Sequence, residues 1–373
     1  METAAGERRV ALVPESIPKF KGFSILVEKE AGDNAGYADS AYTEKGAAIA
    51  SDSNTLYGQS DIILKVQPPS PEEADLFKEG ATLVSFLYPL SNIESVKRLA
   101  ARHATVFAIE LLPRISRSQS MDVLSSQANV AGYKAVMIAA DSLPKMFPLM
   151  MTAAGTISPA KVFVIGAGVA GLQAIATAHR LGAVVEAYDV RPAVKEQITS
   201  LGAKFVELRV EAKDAQTAGG YAKAQSDEFY KKQQELLAEH TRQADVVITT
   251  ALVPGKRAPI LVSEDAVKGM RTGSVVVDLA AEQGGNCALT EPGKTVVKYG
   301  VTIHGTLNVP SSMAPQTSQL FSRNLAAFLG AMIKDGGFNI DLKDEIVKGT
   351  LVMNKGEILN ETTKSAIAGE SAK

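Results

Sequence analysis

One short segment near the middle of this 373-residue chain restricts its possible folds more than any other. An apolar run at 161–165 predicts a buried strand, and three glycines follow it in the spacing G-x-G-x-x-G. These glycines are Gly166, Gly168 and Gly171. The first permits a sharp turn, the second lets a pyrophosphate approach the backbone, and the third lets helix and strand pack closely. The segment therefore predicts a dinucleotide-binding turn, with the N–H groups of a helix N-terminus facing the phosphates.

The residues after this turn complete the pattern of a dinucleotide-binding fold. A helix is predicted over 172–181 and a second strand over 183–188, and this strand is followed by Asp189. An acid at this position can accept hydrogen bonds from an adenosine ribose. Arg191 could instead face a 2′-phosphate, but the acid would repel that group, so we expect NAD rather than NADP. The alternative is a glycine-rich packing turn that binds nothing.

Composition excludes several classes of function. The net charge of −2 and the lack of a long basic run argue against nucleic acid as the main partner. No apolar stretch is long enough to span a membrane, and the N-terminal residues do not form a signal peptide. Cys287 is the only cysteine, so no internal disulfide can form. The four histidines show no metal-ligand spacing, and we expect no metal site.

Alternating apolar and amphipathic runs extend along most of the chain, which is typical of α/β proteins. The runs that we interpret as further strands are 23–27, 60–66, 82–87 and 104–108 before the turn, and 204–206, 245–250, 274–279 and 302–304 after it. Further helices are predicted at 92–102, 122–140 and 316–333. The strands after the turn, with the two that flank it, give the six strands of a dinucleotide fold.

The chain is long enough for two domains. We predict an α/β protein with two Rossmann-like, doubly wound domains, of which the first is discontinuous in sequence. The first domain comprises 1–122 and 310–373, a linking helix covers 123–142, and the NAD-binding domain covers 143–309. The polar end of the chain, 361–373, is expected to fray.

Loops at the carboxyl ends of the predicted strands are candidates for the cofactor site. Leu252 could pack on adenine or nicotinamide, with ordinary loop packing as the alternative. The small residues of 278–286 would let a nicotinamide approach the backbone. The paired glycines and Tyr221 of 217–223 are typical of a mobile lid, although a solvated loop would have the same composition.

The segment 113–122 is the most specific feature outside the glycine-rich turn. Within it, Asp122 could accept a carboxamide N–H, and Gln119 could both donate and accept hydrogen bonds. Arg114 could hold a phosphate or support the loop. The alternative is a helix-capping Asp122 with arginines on the surface.

This segment resembles the NAD(H)-binding component of proton-translocating nicotinamide nucleotide transhydrogenase, in the alanine dehydrogenase/transhydrogenase superfamily. The resemblance extends over nearly the whole chain and is carried by the segments 114–122, 124–127, 131–133, 166–171, 219–223, 249–256 and 278–286. It implies two dinucleotide-type domains with NAD in the cleft between them, and a homodimer. It also implies hydride transfer to NADP⁺ on a separate NADP(H)-binding component, beside a membrane-spanning proton-channel component. The protein would then lie in the cytoplasm, held to the inner face of the membrane by its partners.

The resemblance also implies roles for individual residues. At the nicotinamide end it places Gln119, Ser120, Met121, Asp122 and Ser125, with Arg114 supporting the loop; Gln119, Asp122 and Arg114 are the candidate catalytic residues. The glycine-rich turn contributes Gly166, Gly168, Val169 and Gly171. Asp189, Val190 and Arg191 surround the adenosine, Gly220, Gln233 and Leu252 complete the set, and Tyr221 is the tip of the mobile loop.

Such chemistry needs no protein acid or base, because hydride passes directly between the C4 atoms of two nicotinamides. The protein contributes position and exclusion of water. This agrees with the lack of an evident His–Asp pair or nucleophile. We therefore expect Gln119→Ala or Asp122→Ala to slow hydride transfer while leaving the affinity for NADH nearly intact.

One departure and two rival functions are weighed against the resemblance. Family members begin with a short strand before a Lys-Glu or Arg-Glu pair, whereas this chain starts at Met1 and Glu2, so we expect that strand to be absent. Alanine dehydrogenase is the rival enzyme, with Arg9 and Lys65 at its keto-acid positions and Glu282 at its catalytic carboxylate. The corresponding histidine segment, which runs Ser-Phe-Leu-Tyr-Pro here, lacks a histidine. A non-catalytic NAD-binding module is the second rival.

Overall fold

The computed structural model describes residues 1–208, 226–252, 257–334 and 337–370. The chain forms two compact units. Unit 1 comprises Met1–Gln127 and Ser311–Lys373, and unit 2 comprises Ala128–Pro310. Within the described residues, none of the helices combines the length and the apolar composition needed to cross a membrane.

Unit 1 begins with short strands and helices in alternation. Its elements here are β1 (Leu26–Glu28), α1 (Asp39–Thr43), β2 (Ala48–Ala50), α2 (Ser53–Gln59), β3 (Ile62–Leu64), α3 (Pro71–Asp75), β4 (Thr82–Ser85), α4 (Ile93–Ala101) and β5 (Thr105–Ala108). A 3-10 helix, Ser116–Met121, precedes the long helix α5 (Val123–Ser142).

Unit 2 continues from α5 and includes most of the strands. Its further elements are β6 (Met150–Thr152), β7 (Gly155–Ile157), β8 (Lys161–Ile165), α6 (Val169–Arg180), β9 (Val184–Tyr188), α7 (Lys195–Ser200), β10 (Lys204–Phe205), α8 (Asp227–Gln243), β11 (Val246–Thr249), α9 (Glu264–Lys268), β12 (Val275–Asp278), β13 (Thr295–Lys298) and β14 (Val301–Gly305).

The chain then returns to unit 1 with a long helix and a short mixed region. These elements are α10 (Ala314–Gly330), β15 (Ile333–Lys334), β16 (Gly337–Phe338), α11 (Glu345–Thr350), β17 (Leu351–Asn354), β18 (Glu357–Ile358) and α12 (Glu361–Glu370).

Unit 2 is built on a seven-stranded sheet in the order β10-β9-β8-β11-β12-β14-β13. Every neighbouring pair is parallel except β13 and β14. The central strands are continuous apolar runs because helices cover both faces. In β8, Val162 and Val164 pack in one buried cluster, while Phe163 and Ile165 pack in the cluster on the opposite face. The strand order reverses between β8 and β11, and such a reversal marks the ligand-binding edge of a doubly wound sheet.

Unit 1 has a five-stranded sheet in the order β18-β17-β5-β4-β3. Strands β3, β4 and β5 are parallel, whereas β17, which comes from the returning segment of the chain, pairs antiparallel with β5. Helix α10 buries Phe321, Leu325 and Phe328 in the core of this unit. The rings of Phe107 and Phe328 meet edge to face, so the returning helix is packed directly on the central strand.

The sequence predictions hold for the α/β class and for most elements, with three differences. The first strand is Leu26–Glu28 instead of 23–27, because the chain turns at Gly22, whose φ is +89°. The edge strands β2 and β13 are additional to those predicted. The prediction that the chain end frays is wrong for α12, because Asn360 accepts hydrogen bonds from the buried Thr363 and the helix packs on the core.

Candidate nucleotide site

Two of the three glycines in the glycine-rich loop (residues 166–171) are required by the packing of the loop itself. Gly166 has a φ of +99°, and an added Cβ would lie 2.7 Å from Thr250 Oγ1. At Gly171 an added Cβ would lie only 1.8 Å from the carbonyl oxygen of Gly166. Neither position can accept a side chain without rearrangement, so the loop has its shape because these side chains are missing.

Gly168 differs from its two neighbours. Its φ of −76° suits any residue, and an added Cβ would meet no described atom within 4 Å. Among the described residues, packing therefore gives no reason for glycine here. A close approach by a ligand does give a reason, because the second glycine of this motif lies against a pyrophosphate.

Helix α6 starts at this loop and offers its N-terminus to an anion. Gly168 is the N-cap residue and supplies no side-chain hydrogen bond to the first turn. The first N–H groups of a helix have no partner within the helix, and together with the helix dipole they favour phosphate. Val169, the first helical residue, is 38% exposed and so lies at the surface of the loop.

Neighbouring elements fix the position of the loop. The hydroxyl of Thr250, which follows β11, donates to the carbonyl oxygen of Gly166 at 3.0 Å. Helix α5 packs so closely that a Cβ on Gly132 would lie 2.1 Å from the carbonyl oxygen of Ala170. The carboxyl ends of β8 and β11 and the start of α6 thus form one rigid edge.

Asp189, at the end of β9, is bound to the same edge. Its carboxylate is nearly buried and accepts a 2.8 Å hydrogen bond from the N–H of Ala167. Arg191 donates to it from its backbone N–H at 2.9 Å, from Nε at 2.8 Å and from Nη2 at 2.7 Å. These hydrogen bonds raise the pKa of Arg191 above its ordinary value. The acid and the arginine that the sequence offered as competing ligands are therefore paired with each other.

The structure places the other predicted residues of unit 2 in different surroundings. Gln233 is buried on α8, and its side-chain amide donates to the hydroxyl of Tyr188 at 2.9 Å. Burial raises the pKa of Tyr188 to about 12. Val190 is half-buried, and Leu252 is 41% exposed. Gly220 and Tyr221 lie outside the described residues.

Asp278 and Asn286 are organising residues that sequence reasoning did not single out. Asp278 is fully buried at the end of β12 and accepts hydrogen bonds from the hydroxyls of Thr249 and Thr290. It also accepts from the backbone N–H groups of residues 280, 286 and 287. The side chain of Asn286 bonds both the N–H and the carbonyl of Ala251. An acid at the end of an apolar strand was the available signal.

In unit 1, side chains shape the Arg-Gln-Asp loop (residues 114–122). The buried Ser118 donates to the carbonyl oxygen of Pro113 at 2.5 Å. Asn324, on α10, donates to the carbonyl oxygen of Ser120 at 2.8 Å and accepts from the hydroxyl of Ser126 at 2.7 Å. Asn324 lies far away in sequence, so motif spacing could not identify it.

The ends of this loop differ in exposure and bonding. Asp122 accepts from the N–H of Ser125 at 2.9 Å and from its hydroxyl at 2.6 Å, and so caps α5, as the structural alternative predicted. Met121 is buried, whereas Arg114, Gln119 and Ser120 are exposed. Among the described residues no hydrogen bond to the side chain of Gln119 is formed, which leaves its amide accessible to a ligand.

The candidate carboxylate ligands of the rival alanine dehydrogenase function are engaged elsewhere. Arg9 is buried and donates to Glu7 at 2.8 and 2.6 Å. Lys65 is buried and donates to Glu73 at 2.7 Å. Glu282, which is exposed, accepts a hydrogen bond from the N–H of Asn308 at 2.5 Å. Both cations are therefore already neutralised by carboxylates of unit 1.

Comparison with known proteins gives a consistent result over the full chain. The profile described as "Alanine dehydrogenase/PNT, N-terminal domain" matches residues 1–131, and "Alanine dehydrogenase/PNT, C-terminal domain" matches residues 135–361. The first of the separate chains of NAD(P) transhydrogenase subunit alpha in Rhodospirillum rubrum is 50% identical over 100% of this chain and 98% of its own length. Alanine dehydrogenase 2 of Staphylococcus aureus (strain USA300) is 29% identical over 99% of this chain and 95% of its own length. The crystal structure of transhydrogenase from Sinorhizobium meliloti has a TM-score of 0.87 and 45% identity, and the match covers 96% of this chain and 98% of that chain.

Proposed function

This chain belongs to the alanine dehydrogenase/PNT family, and we propose that it is the NAD(H)-binding subunit of a proton-translocating NAD(P) transhydrogenase. It is an oxidoreductase that works with partner subunits. Hydride passes between NADH on this chain and NADP⁺ on a partner component, and the reaction is coupled to proton translocation across a membrane. Relatives that are 45% to 50% identical carry the name of this subunit, which supports the assignment.

The observation that carries the proposal is the contrast among the three glycines. Packing accounts for Gly166 and Gly171, whereas an added Cβ at Gly168 would meet no described atom within 4 Å. The residues of the loop therefore fit a dinucleotide, since they leave a space beside a helix N-terminus that favours anions. When bound there, NADH supplies the hydride from C4 of its nicotinamide.

The residues of the chain bind and orient this substrate. Gly166, Gly168, Val169 and Gly171 hold the pyrophosphate, and Asp189, Val190 and Arg191 surround the adenosine. Gly220, Tyr221, Gln233 and Leu252 complete the binding set, with Tyr221 on a mobile loop. No residue has to move a proton in a direct hydride transfer, so position and exclusion of water account for the protein's contribution.

The Arg-Gln-Asp loop acts at the nicotinamide end. Gln119, Ser120, Met121, Asp122 and Ser125 form this side of the set, and Arg114 supports it. The exposed amide of Gln119 supports this role, because it can both donate to and accept from a carboxamide. Asp122 contributes through its carboxylate, which is half-buried and also holds the start of α5.

Partners and location follow from the same assignment. The chain docks with an NADP(H)-binding component and a membrane-spanning proton-channel component. It lies in the cytoplasm, on the inner face of the membrane, and is held there by these partners. It has no nucleic-acid partner, in keeping with its net charge of −2.

The chain forms a homodimer, and an exposed hairpin supports this aspect of the proposal. Strands β6 and β7 form a separate two-stranded sheet in which every residue is exposed. Met151 is 78% exposed and Leu149 is 56% exposed. An isolated hairpin is marginally stable alone, and its free edges suit pairing with a second copy. Light scattering should give a dimer for the wild type and a monomer for Met151→Lys; a monomeric wild type would contradict the dimer.

Reconstitution tests the enzymatic function most simply. The purified chain is mixed with the NADP(H)-binding component of a related transhydrogenase, and hydride transfer from NADH to an NADP⁺ analogue is followed by stopped flow. We expect transfer that depends on both proteins, and a slower transfer with unchanged NADH affinity in Gln119→Ala. Oxidation of NADH with nothing but added pyruvate and ammonia would favour alanine dehydrogenase. NADH binding without transfer would favour the non-catalytic module.

A further inference from the structure

The pairing of Asp189 with Arg191 bears on which nucleotide the proposed site accepts. A 2′-phosphate distinguishes NADP from NAD, and in dinucleotide folds an arginine near the end of this second strand accommodates it. Arg191 has the right chemistry for that task, because a guanidinium binds phosphate with two parallel hydrogen bonds. Here two of its side-chain nitrogens donate instead to the two oxygens of one carboxylate.

The carboxylate that engages Arg191 is itself firmly held. The side chain of Asp189 is 6% exposed and that of Arg191 is 16% exposed, so the pair is largely shielded from water. The N–H of Ala167, inside the glycine-rich loop, fixes one oxygen of Asp189 at 2.8 Å. A weakly screened pair of this kind is far stronger than an exposed salt bridge. Arg191 is therefore not available to a phosphate while Asp189 is ionised.

We propose that Asp189 and Arg191 form a nucleotide selector, in which Asp189 excludes NADP by occupying a guanidinium that would otherwise bind the 2′-phosphate. This inference rests on the proposed function and names the specificity of the same site. It adds a second action to the repulsion of phosphate by the acid. It also makes Arg191 a latent phosphate ligand, which removal of one carboxylate exposes.

The test measures the affinities for NADH and NADPH by the fluorescence of the reduced nicotinamide. Asp189→Asn keeps an oxygen for the N–H of Ala167 but removes the charge that holds Arg191. We expect the affinity of this variant for NADPH to rise by about tenfold or more, the worth of hydrogen bonds to a charged group. The double variant Asp189→Asn/Arg191→Ala should lose this gain, and Arg191→Ala alone should show none.

A matched control separates the selector from a general change in charge. Glu186→Gln also removes one negative charge from β9, but the carboxylate of Glu186 is bonded to Lys204 and His240 and does not contact Arg191. It should leave NADPH binding as weak as in the wild type. An equal gain in this control, or a gain that persists in the double variant, would overturn the selector.

The outcomes also distinguish the selector from the proposed function. A wild type that binds neither nucleotide would sink the proposed function itself. A wild type that binds NADH, with an Asp189→Asn variant that gains nothing for NADPH, would sink the selector alone. If Asp189→Asn does not fold, as judged by thermal unfolding, Asp189→Ser takes its place with the same expected gain and more room for the phosphate.

Discussion

The glycine-rich loop of unit 2 and the Arg-Gln-Asp loop of unit 1 reach defined shapes by opposite means. The first is shaped by missing side chains, with the backbone of Gly171 against the carbonyl of Gly166. The second is shaped by side chains, with Asn324 and Ser118 bonded to its carbonyl groups. The difference teaches why one loop can be recognised from spacing alone. A steric requirement for glycine is local in sequence, whereas a hydrogen bond from a distant helix is not.

The support of the Arg-Gln-Asp loop continues into a buried network of charges. Arg9 donates to Gln127 at 2.8 Å, and Gln127 lies on α5, the helix whose start is capped by Asp122. The carboxylate of Glu7 neutralises Arg9 in turn. We therefore expect the loop in unit 1 to be sensitive to polar substitutions, and the loop in unit 2 to be sensitive to added volume.

Gly171→Ala should have the largest effect. Its Cβ would lie 1.8 Å from the carbonyl oxygen of Gly166, and backbone atoms must shift to relieve this contact. We expect a loss of about 4 kcal/mol in the free energy of unfolding, as for severe overpacking. Urea unfolding measures it. Gly168→Ala is the matched control in the same loop, and equal losses in the two variants would break the contrast between the glycines.

Glu7→Gln should have the next largest effect and should depend on pH. Burial acts to raise the pKa of Glu7, but the hydrogen bonds and charge of Arg9 outweigh it and lower that pKa to about 2. Because the folded pKa lies below the unfolded one, ionised Glu7 stabilises the fold above about pH 4.5. A shift of this size corresponds to about 3 kcal/mol at neutral pH.

The pH dependence supplies the check on this prediction. The difference in unfolding free energy between wild type and Glu7→Gln should shrink as the pH falls from about 4.5 toward 2. Urea unfolding at several pH values follows it. A difference that stays constant over this range would show that the charge of Glu7 contributes nothing.

Asn324→Ala should have a smaller effect on stability but a distinct effect on activity. It removes two hydrogen bonds, to Ser120 and from Ser126, and should cost about 2 kcal/mol. Hydride transfer in the reconstituted system should slow, while NADH affinity stays near that of the wild type. Arg117→Ala, which removes the surface pair with Asp344, is the control and should change little. Unchanged transfer in Asn324→Ala would mean that the loop does not need this anchor.

The sequence could predict those regions of the molecule in which the physical cause is local. The prediction of 161–165 as a strand matches β8, because a continuous apolar run suits a strand buried on both faces. The predicted helix 92–102 agrees with α4 to within one residue at each end. The short edge strands β2 and β13 were missed, since their formation depends on pairing with distant partners.

The candidate site divides in the same way. The glycine spacing and the acid after β9 were legible in the sequence, but the pairing of Asp189 with Arg191 was not. Both a capping and a ligand-binding function were open for Asp122, and its hydrogen bonds to Ser125 realise the first. The buried acceptor Asp278 gathers five donors that lie apart in sequence, so only the folded structure reveals it.

The affinity of Gly168→Ala for NADH tests the central claim most directly, because only a bound nucleotide explains this glycine. Calorimetric titration should show binding weaker than that of the wild type by about a hundredfold, as expected when a methyl group meets a pyrophosphate. The unfolding free energy should fall by no more than about 1 kcal/mol, the cost of alanine at a helix N-cap. A folded Gly168→Ala variant that binds NADH as tightly as the wild type would contradict the account.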